Sequence, residues 1–227
     1  EQGITPQNIY GMTENSSHQY THPDDPLDVS VATCGRGGRC YDVKIWDPED
    51  LDRELPVGEP GEIGGRGALL MLGYYGNQEA TSKSFNRHGY MMSGDLGVLD
   101  EHGNLKILGR SKDLIIRGGH NIFPSRIEAL SLTHPGLSKA AAFPVPDERL
   151  GEKVCLAVIG SVEGEEILDH LAREGLSKFD MPEWFIAMEE LPLTPSGKIL
   201  KRELTEMVKR GDISPRPVRY AASKVKA

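Results

Sequence analysis

The pattern of apolar and polar positions over the first hundred residues reads as strands and turns, with a two-residue alternation in YDVKIW. YDVKIW (41–46) predicts a strand, and LPVGEPGEI (55–63) predicts a turn cluster running into another. ALLMLGYY (68–75) is a third apolar run, and QEATSKSF (78–85) predicts a short helix. GYMMSGDLGVLD and GNLKILG predict two strands joined by a turn at Glu101–Asn104. After Arg110 strands begin to alternate with helices. LII (114–116) reads as a strand and GGHNI as a glycine-led loop. Pro124 opens a helix, because its missing N–H falls where that group lacks a partner anyway. Ile127 and Leu130 form the apolar side of that helix. LSKAAAFPV, GEKVCLAVIG and EWFIAM predict strands. Glu163–Glu174 predicts an amphipathic helix with Ile167, Leu168 and Leu171 inward, ended by Gly175. Ile199–Lys209 predicts a last helix carrying Ile199, Leu200, Leu204 and Val208, before a basic, proline-broken tail from Pro215. The whole is an α+β chain of two parts, 1–111 and 112–227. The boundary lies in the charged run GRSKD rather than in a Pro/Gly/Ser tether, as at a hinge.

Composition narrows the functions. The 227 residues carry 26 Lys and Arg against 34 Asp and Glu, a formal net charge of −8, which argues against nucleic-acid binding through bulk charge. No apolar run approaches the roughly 20 residues of a membrane-spanning helix. The opening EQGITPQNIY has no secretory pattern, lacks an initiator Met and starts as if in mid-chain. Three cysteines, Cys34, Cys40 and Cys155, are an odd set and read as reduced thiols of a cytoplasmic protein. His18 and His22 have helical i,i+4 spacing, but no Glu stands between them and Pro23 follows. They are expected as solvated loop histidines rather than metal ligands.

Four stretches can carry chemistry. In Tyr10-Gly11-Met12-Thr13-Glu14, a hydroxyl beside a carboxylate can hold a phosphate oxygen and a hard cation together. Alone, the stretch reads as a capped turn. In Ser93-Gly94-Asp95-Leu96-Gly97, an Asp between glycines can accept hydrogen bonds from a ribose diol; alone it reads as an Asx turn. The third runs from Gly109-Arg110-Ser111-Lys112-Asp113 to Pro124. Arg110 offers a rigid fork of donors, and Gly118-Gly119 permits close backbone approach. The fourth, Pro192-Leu193-Thr194-Pro195-Ser196-Gly197-Lys198, presents Lys198 on a turn, where an ammonium can neutralise charge developing on a phosphoryl group. Its Gly-Lys pair lacks the leading glycine of a Walker A loop and alone reads as a helix-opening turn with a solvated lysine.

In this order the four stretches resemble the adenylate-forming superfamily of acyl-CoA synthetases, peptide-synthetase adenylation domains and beetle luciferases. The resemblance reaches to about Arg210, and its most specific part is GRSKDLIIRGGHNIFPSRIE joined to PLTPSGKILKREL. It implies a β-rich end of a large N-terminal adenylation domain (1–111), followed by a complete small, mobile α+β domain (112–227). It further implies that Tyr10 lies against adenine, that Thr13 contacts ATP phosphate and that Glu14 binds Mg²⁺. Asp95 and Arg110 would contact the ribose, Lys112 would be the hinge, Lys198 the catalytic lysine, and Gly118-Gly119 the lining of the CoA channel. The implied reaction joins a carboxylic acid to CoA through acyl-AMP, with ATP, Mg²⁺ and CoA required and no nucleic acid involved.

Departures from the family are Arg126 for a Glu, with Glu128 retained, Met92 before Ser93-Gly94-Asp95, and Ser93 for the commoner Thr. The family's phosphate loop and most of its acyl pocket have no counterpart here; CGRGGRC (34–40) does not replace them. The chain is therefore expected to be part of a longer enzyme, inactive alone, with apolar surface through which it can self-associate. GGHNI is similar to ligases of aromatic or alicyclic acids such as cyclohexanecarboxylate. Competing expectations are an adenylation domain loading a carrier protein, a luciferase-like oxygenase and a non-catalytic nucleotide-binding or interaction module. Lys198 also fits a pattern acetylated in this superfamily, which would remove its charge.

Overall fold

A computed structural model describes residues 5–220. The chain divides into two compact units, residues 1–112 and 113–227.

In the first unit, β1 (Ile9–Met12) and β2 (Ser16–Tyr20) form an antiparallel hairpin closed by a turn over residues 13–15. α1 (Leu27–Ala32) follows. A five-stranded antiparallel sheet is then built from β3 (Tyr41–Asp47), β4 (Asp50–Glu54), β5 (Gly61–Gly67), β6 (Met91–Leu99) and β7 (Leu105–Arg110), in the order β4-β3-β5-β6-β7. α2 (Gln78–Lys83) lies between β5 and β6, and its first turn is capped by Asn77, whose side chain accepts from Ala80 N–H. The strands expected at β3, β5, β6 and β7 all form, and Ile45, Ile63 and Leu105 from three of them pack in one buried cluster. Residues 68–75 are the exception. This apolar run forms no strand, and Leu72 and Tyr75 are fully exposed. A run with no turn residue before Gly73 carries no two-residue alternation, so nothing in it specifies a buried face.

In the second unit, β8 (Ile115–Arg117) and β9 (His120–Ile122) form a hairpin, followed by α3 (Pro124–Ser131). Pro124 occupies the first turn of α3, as its chemistry dictates. β10 (Leu137–Asp147) and β11 (Gly151–Gly160) form a long antiparallel pair. α4 (Gly164–Arg173) then crosses over to β12 (Trp184–Ala187), which runs parallel to β11. α5 (Lys201–Arg210) and β13 (Arg216–Pro217) complete the unit. The sheet order is β13-β12-β11-β8-β9, with β10 also paired to β11. β11 is buried on both faces: Val154, Leu156 and Val158 join the core with Ile167, Leu168 and Leu171 of α4, while Cys155 and Ala157 join Phe143 and Leu204 of α5. This explains why VCLAV is a continuous apolar run rather than an alternating one. α5 starts two residues later than its periodicity suggests, because Ile199 is taken into a bridge with Leu193. The tail is partly structured: β13 pairs with β12 and Val218 is buried, while the tail beyond residue 220 lies outside the described residues. Among the described residues no helix is long and apolar enough to cross a membrane.

Candidate functional site

The centre of the first unit is a distortion in the sheet. Glu62 of β5 faces Leu96 of β6, and Gly64 faces Met92, so Ser93, Gly94 and Asp95 together oppose Ile63 alone. A bulge of this kind re-aims side chains and frees backbone groups from the ladder. Gly94 takes φ +73°, which its lack of a Cβ permits. Side chains replace the lost ladder bonds. Ser93 Oγ donates to Ile63 O at 2.8 Å and accepts Asp95 N–H at 3.1 Å; Glu62 Oε1 accepts Gly94 N–H at 3.1 Å; Ser111 Oγ donates to Gly94 O at 3.0 Å.

Out of this bulge comes Asp95, 7% exposed and paired across the ladder with Arg110 of β7. Tyr10 OH donates to Asp95 Oδ2 at 2.8 Å across a separation of 85 residues, and Arg110 Nε donates to Asp95 Oδ1 at 3.1 Å. Tyr10 is held as the neutral phenol: burial pushes its pKa up, and the Asp95 carboxylate adds to that. A carboxylate has about four lone-pair directions, so with one bond on each oxygen Asp95 retains capacity for a pair of hydroxyls. Tyr10, Asp95 and Arg110, taken from three separate stretches of sequence, thus form one hydrogen-bonded group.

Thr13 and Glu14 lie in the tight turn between β1 and β2. The turn is braced by Asn15, whose side chain accepts Met12 N–H at 3.0 Å, and by Met71 N–H donating to Glu14 O at 2.8 Å. Tyr74 OH donates to Glu14 Oε1 at 3.0 Å. Thr13 is exposed and Glu14 half-buried, so a hydroxyl and a carboxylate are offered side by side at the surface. Lys112 is exposed, within a 3₁₀ turn spanning Ser111–Asp113.

In the second unit, Gly118 and Gly119 form the turn of the β8–β9 hairpin with φ +58° and +85°. Positive φ at both central residues is the signature of a turn that matches strand twist, and glycine adopts it without strain. The expected loop GGHNI is therefore a turn leading into a strand, because the sequence after the glycines pairs back on Ile115–Arg117. The hairpin is anchored by Arg117, which donates to Glu183 Oε1 at 2.7 Å and to Phe179 O, and by His120 Nε2 with Asp180 Oδ1 at 2.7 Å. Lys198 closes a second turn. Thr194 N–H donates to Lys198 O at 2.7 Å, Lys198 N–H donates to Thr194 Oγ1 at 3.0 Å, and Gly197 N–H donates to Thr194 O at 2.8 Å. Its backbone is fixed while its side chain is exposed. Arg126 donates to Gly175 O at 3.3 Å, and Glu128 pairs with Lys201 at 2.7 Å and accepts Ala142 N–H at 2.9 Å.

One expectation is overturned. His18 is not a solvated loop residue: it lies in β2, 2% exposed, stacked on Tyr41 at 4.2 Å and edge-on to Tyr10 at 5.4 Å. Neither ring nitrogen has a hydrogen-bond partner, and burial lowers its pKa to about 4. SSHQY carries no apolar alternation to mark it as a strand, and its neighbours His18 and Gln19 are both buried. Sequence reasoning also missed Glu62 and Tyr74. The one signal for Glu62 was a charged residue at an otherwise apolar position of the glycine-rich strand GEIGG. Among the described residues no cluster of three or more His, Cys, Asp or Glu side chains forms a metal cage. Magnesium carried on substrate phosphates asks for only one or two protein carboxylates, which Glu14 beside Thr13 fits.

Comparison with known proteins gives consistent matches. Residues 2–75 match the family described as AMP-binding enzyme, and residues 126–198 match the AMP-binding enzyme C-terminal domain. The chain is 37% identical over 215 residues to a medium-chain fatty-acid–CoA ligase of Escherichia coli, covering 92% of this chain and 38% of that one. It is 37% identical over 210 residues to a 2-succinylbenzoate–CoA ligase of Bacillus cereus, covering 92% of this chain and 43% of the relative. Among solved structures, ATP-bound MatB from Rhodopseudomonas palustris superposes with a TM-score of 0.81 at 33% identity, covering 89% of this chain and 40% of MatB. The chain thus spans less than half the length of the curated relatives it matches.

Proposed function

Since the chain belongs to the family of AMP-binding enzymes, we infer that the whole protein is an AMP-forming acid–thiol ligase acting on a carboxylic acid, ATP and CoA. The observation that carries this reading is the joining of Tyr10, Asp95 and Arg110 into one hydrogen-bonded group at a bulge. Their order and chemistry suit a nucleoside: Tyr10 for the base, Asp95 and Arg110 for the ribose hydroxyls. Thr13 would meet a phosphate oxygen. Glu14 would hold Mg²⁺, which supplies charge neutralisation on the phosphates when bound.

In the first half-reaction a carboxylate oxygen attacks the α-phosphorus of ATP, and the bond to the bridging oxygen breaks to release pyrophosphate. Lys198 would stand between carboxylate and α-phosphate, where a fixed ammonium lowers the barrier as negative charge gathers. In the second, the CoA sulfur attacks the acyl carbon, the thiol proton is lost, and AMP leaves. Lys112 would be the pivot that exchanges Lys198 for the Gly118-Gly119 turn, whose missing side chains leave room for a pantetheine chain.

Acid-dependent exchange of pyrophosphate into ATP by the whole protein tests the reading, with medium-chain, alicyclic and aromatic acids each supplied. Lys198→Ala is expected to lower exchange about a hundredfold or more. Unchanged exchange would remove Lys198 from the reaction. Thioester formation on a carrier protein but not on CoA would replace the ligase reading with that of an adenylation domain.

A further inference from the structure

Glu62 is a charged side chain at an inward position of a sheet strand, only 9% exposed, and the proposed reaction assigns it no role. Its surroundings make it an expensive residue for sheet stability alone. Burial pushes its carboxyl above the ordinary range and the nearby Asp95 carboxylate adds to that, while the Gly94 N–H and the Lys112 ammonium act in the opposite direction. An apolar side chain would fill the position without that desolvation penalty. What an apolar side chain cannot do is accept a hydrogen bond.

The sheet creates a need for such an acceptor. The bulge at Ser93–Asp95 removes Gly94 from the β5–β6 ladder, so its N–H has no strand carbonyl to meet. Glu62 Oε1 takes that N–H at 3.1 Å, and on the other side of the turn Ser111 Oγ holds Gly94 O at 3.0 Å. Gly94 is thus clamped through both its N–H and its carbonyl. It sits at φ +73° with open space where a side chain would be, so packing does not hold it in place. Its carbonyl belongs to the peptide that leads into Asp95.

We propose that Glu62 is a positioning residue for Asp95, acting by holding the Gly94 amide so that the Asp95 carboxylate stays aimed where a ribose diol would meet it. The proposal rests on the reading of Asp95 as the ribose contact. It predicts a defect in reading the sugar rather than a general loss of activity.

The test compares ATP with 2′-deoxy-ATP in acid-dependent pyrophosphate exchange by the whole protein, in wild type and in Glu62→Ala, Glu62→Asp, Glu62→Gln and Asp95→Ala. Wild type is expected to prefer ATP, and Asp95→Ala to lose that preference. Glu62→Ala should raise the KM for ATP about tenfold, the equivalent of about 1.4 kcal/mol, and bring the preference close to that of Asp95→Ala. Glu62→Asp withdraws the acceptor by one methylene and should move the same way, which keeps the test open if the alanine variant does not fold. Glu62→Gln keeps an acceptor oxygen and should retain most of the preference. Loss of active enzyme with the sugar preference intact in the Ala or Asp variant would reduce Glu62 to a structural residue and overturn the proposal. So would a glutamine variant as impaired as alanine, since charge and not the hydrogen bond would then matter. A wild type with no preference, or an Asp95→Ala that keeps it, would instead overturn the ribose reading, and this proposal with it.

Discussion

The two units bury different things. The second hides apolar side chains on both sides of one sheet. Val154, Leu156 and Val158 face α4, Cys155 and Ala157 face α5, and Phe143 is fully enclosed. The first has smaller apolar clusters, around Ile45, Ile63 and Leu105 and around Trp46, Tyr90 and Met92. It also buries Asn15, His18, Gln19, Thr21, Ser30, Glu62, Asp95 and Asn104, against Ser131 and His170 in the second. Among the described residues, every buried side-chain polar atom without a partner belongs to this unit: both His18 nitrogens, Gln19 Oε1, Tyr41 OH, Trp46 Nε1 and Asn104 Oδ1. Buried polar groups cost free energy, whereas apolar packing is the main source of stability. The second unit therefore reads as a stable platform that displays a glycine turn and a lysine on its surface. The first gives up stability to bury polar side chains, the Tyr10–Asp95–Arg110 group among them.

Three substitutions can break or sharpen that contrast. The largest effect is expected from Phe143→Ala, which opens a cavity in the apolar core of the second unit and should cost about 3–5 kcal/mol in urea unfolding. A cost near 1 kcal/mol would mean that this core is not what stabilises the unit.

Next comes acid. His18 titrates near 6.5 when unfolded and at about 4 when folded, so the unfolded state takes up the proton first. The neutral, buried ring is fully compatible with the fold above pH 6.5, and stability falls as pH drops from 6.5 toward 4, by an amount on the order of 3 kcal/mol. Its ring neighbours do not titrate in that window: burial pushes Tyr41 up to about 12 and raises Tyr10 as well. His18→Phe, which keeps a ring between Tyr10 and Tyr41, should flatten thermal stability between pH 6.5 and 4. An acid profile as steep as wild type would place the titration elsewhere.

The smallest change is expected from Trp46→Phe in the first unit. It loses some packing but also removes a buried N–H without a partner, so the net change should stay within about 1 kcal/mol by the same unfolding measurement. A loss as large as that of Phe143→Ala would erase the contrast between the units.

Much of the fold and part of the site were legible in the chain because they follow from local chemistry. Period-2 alternation marked β3, two apolar runs around a Glu101–Asn104 turn marked β6 and β7, and a bounded apolar run marked β11. Pro124 marked the start of α3 and Gly175 the end of α4. Each is a preference that one residue or one short window expresses on its own. SSHQY and DLDRE form β2 and β4 without that signal, since their pairing partners rather than their composition make them strands.

The sequence alone determined the kinds of groups on offer: a Thr beside a Glu, an Asp between glycines, an Arg and a Lys in one charged run, and a Lys after a Pro–Gly turn. Only the tertiary structure decided how those groups meet. It brought Tyr10 to Asp95 across 85 residues, buried His18 between two tyrosines, and turned Glu62 into the acceptor for Gly94. The physical reason is that a bulge and a buried polar contact belong to no single segment. They arise where two strands fall out of register and a side chain of one of them supplies the missing hydrogen-bond partner, and no local preference encodes that coincidence.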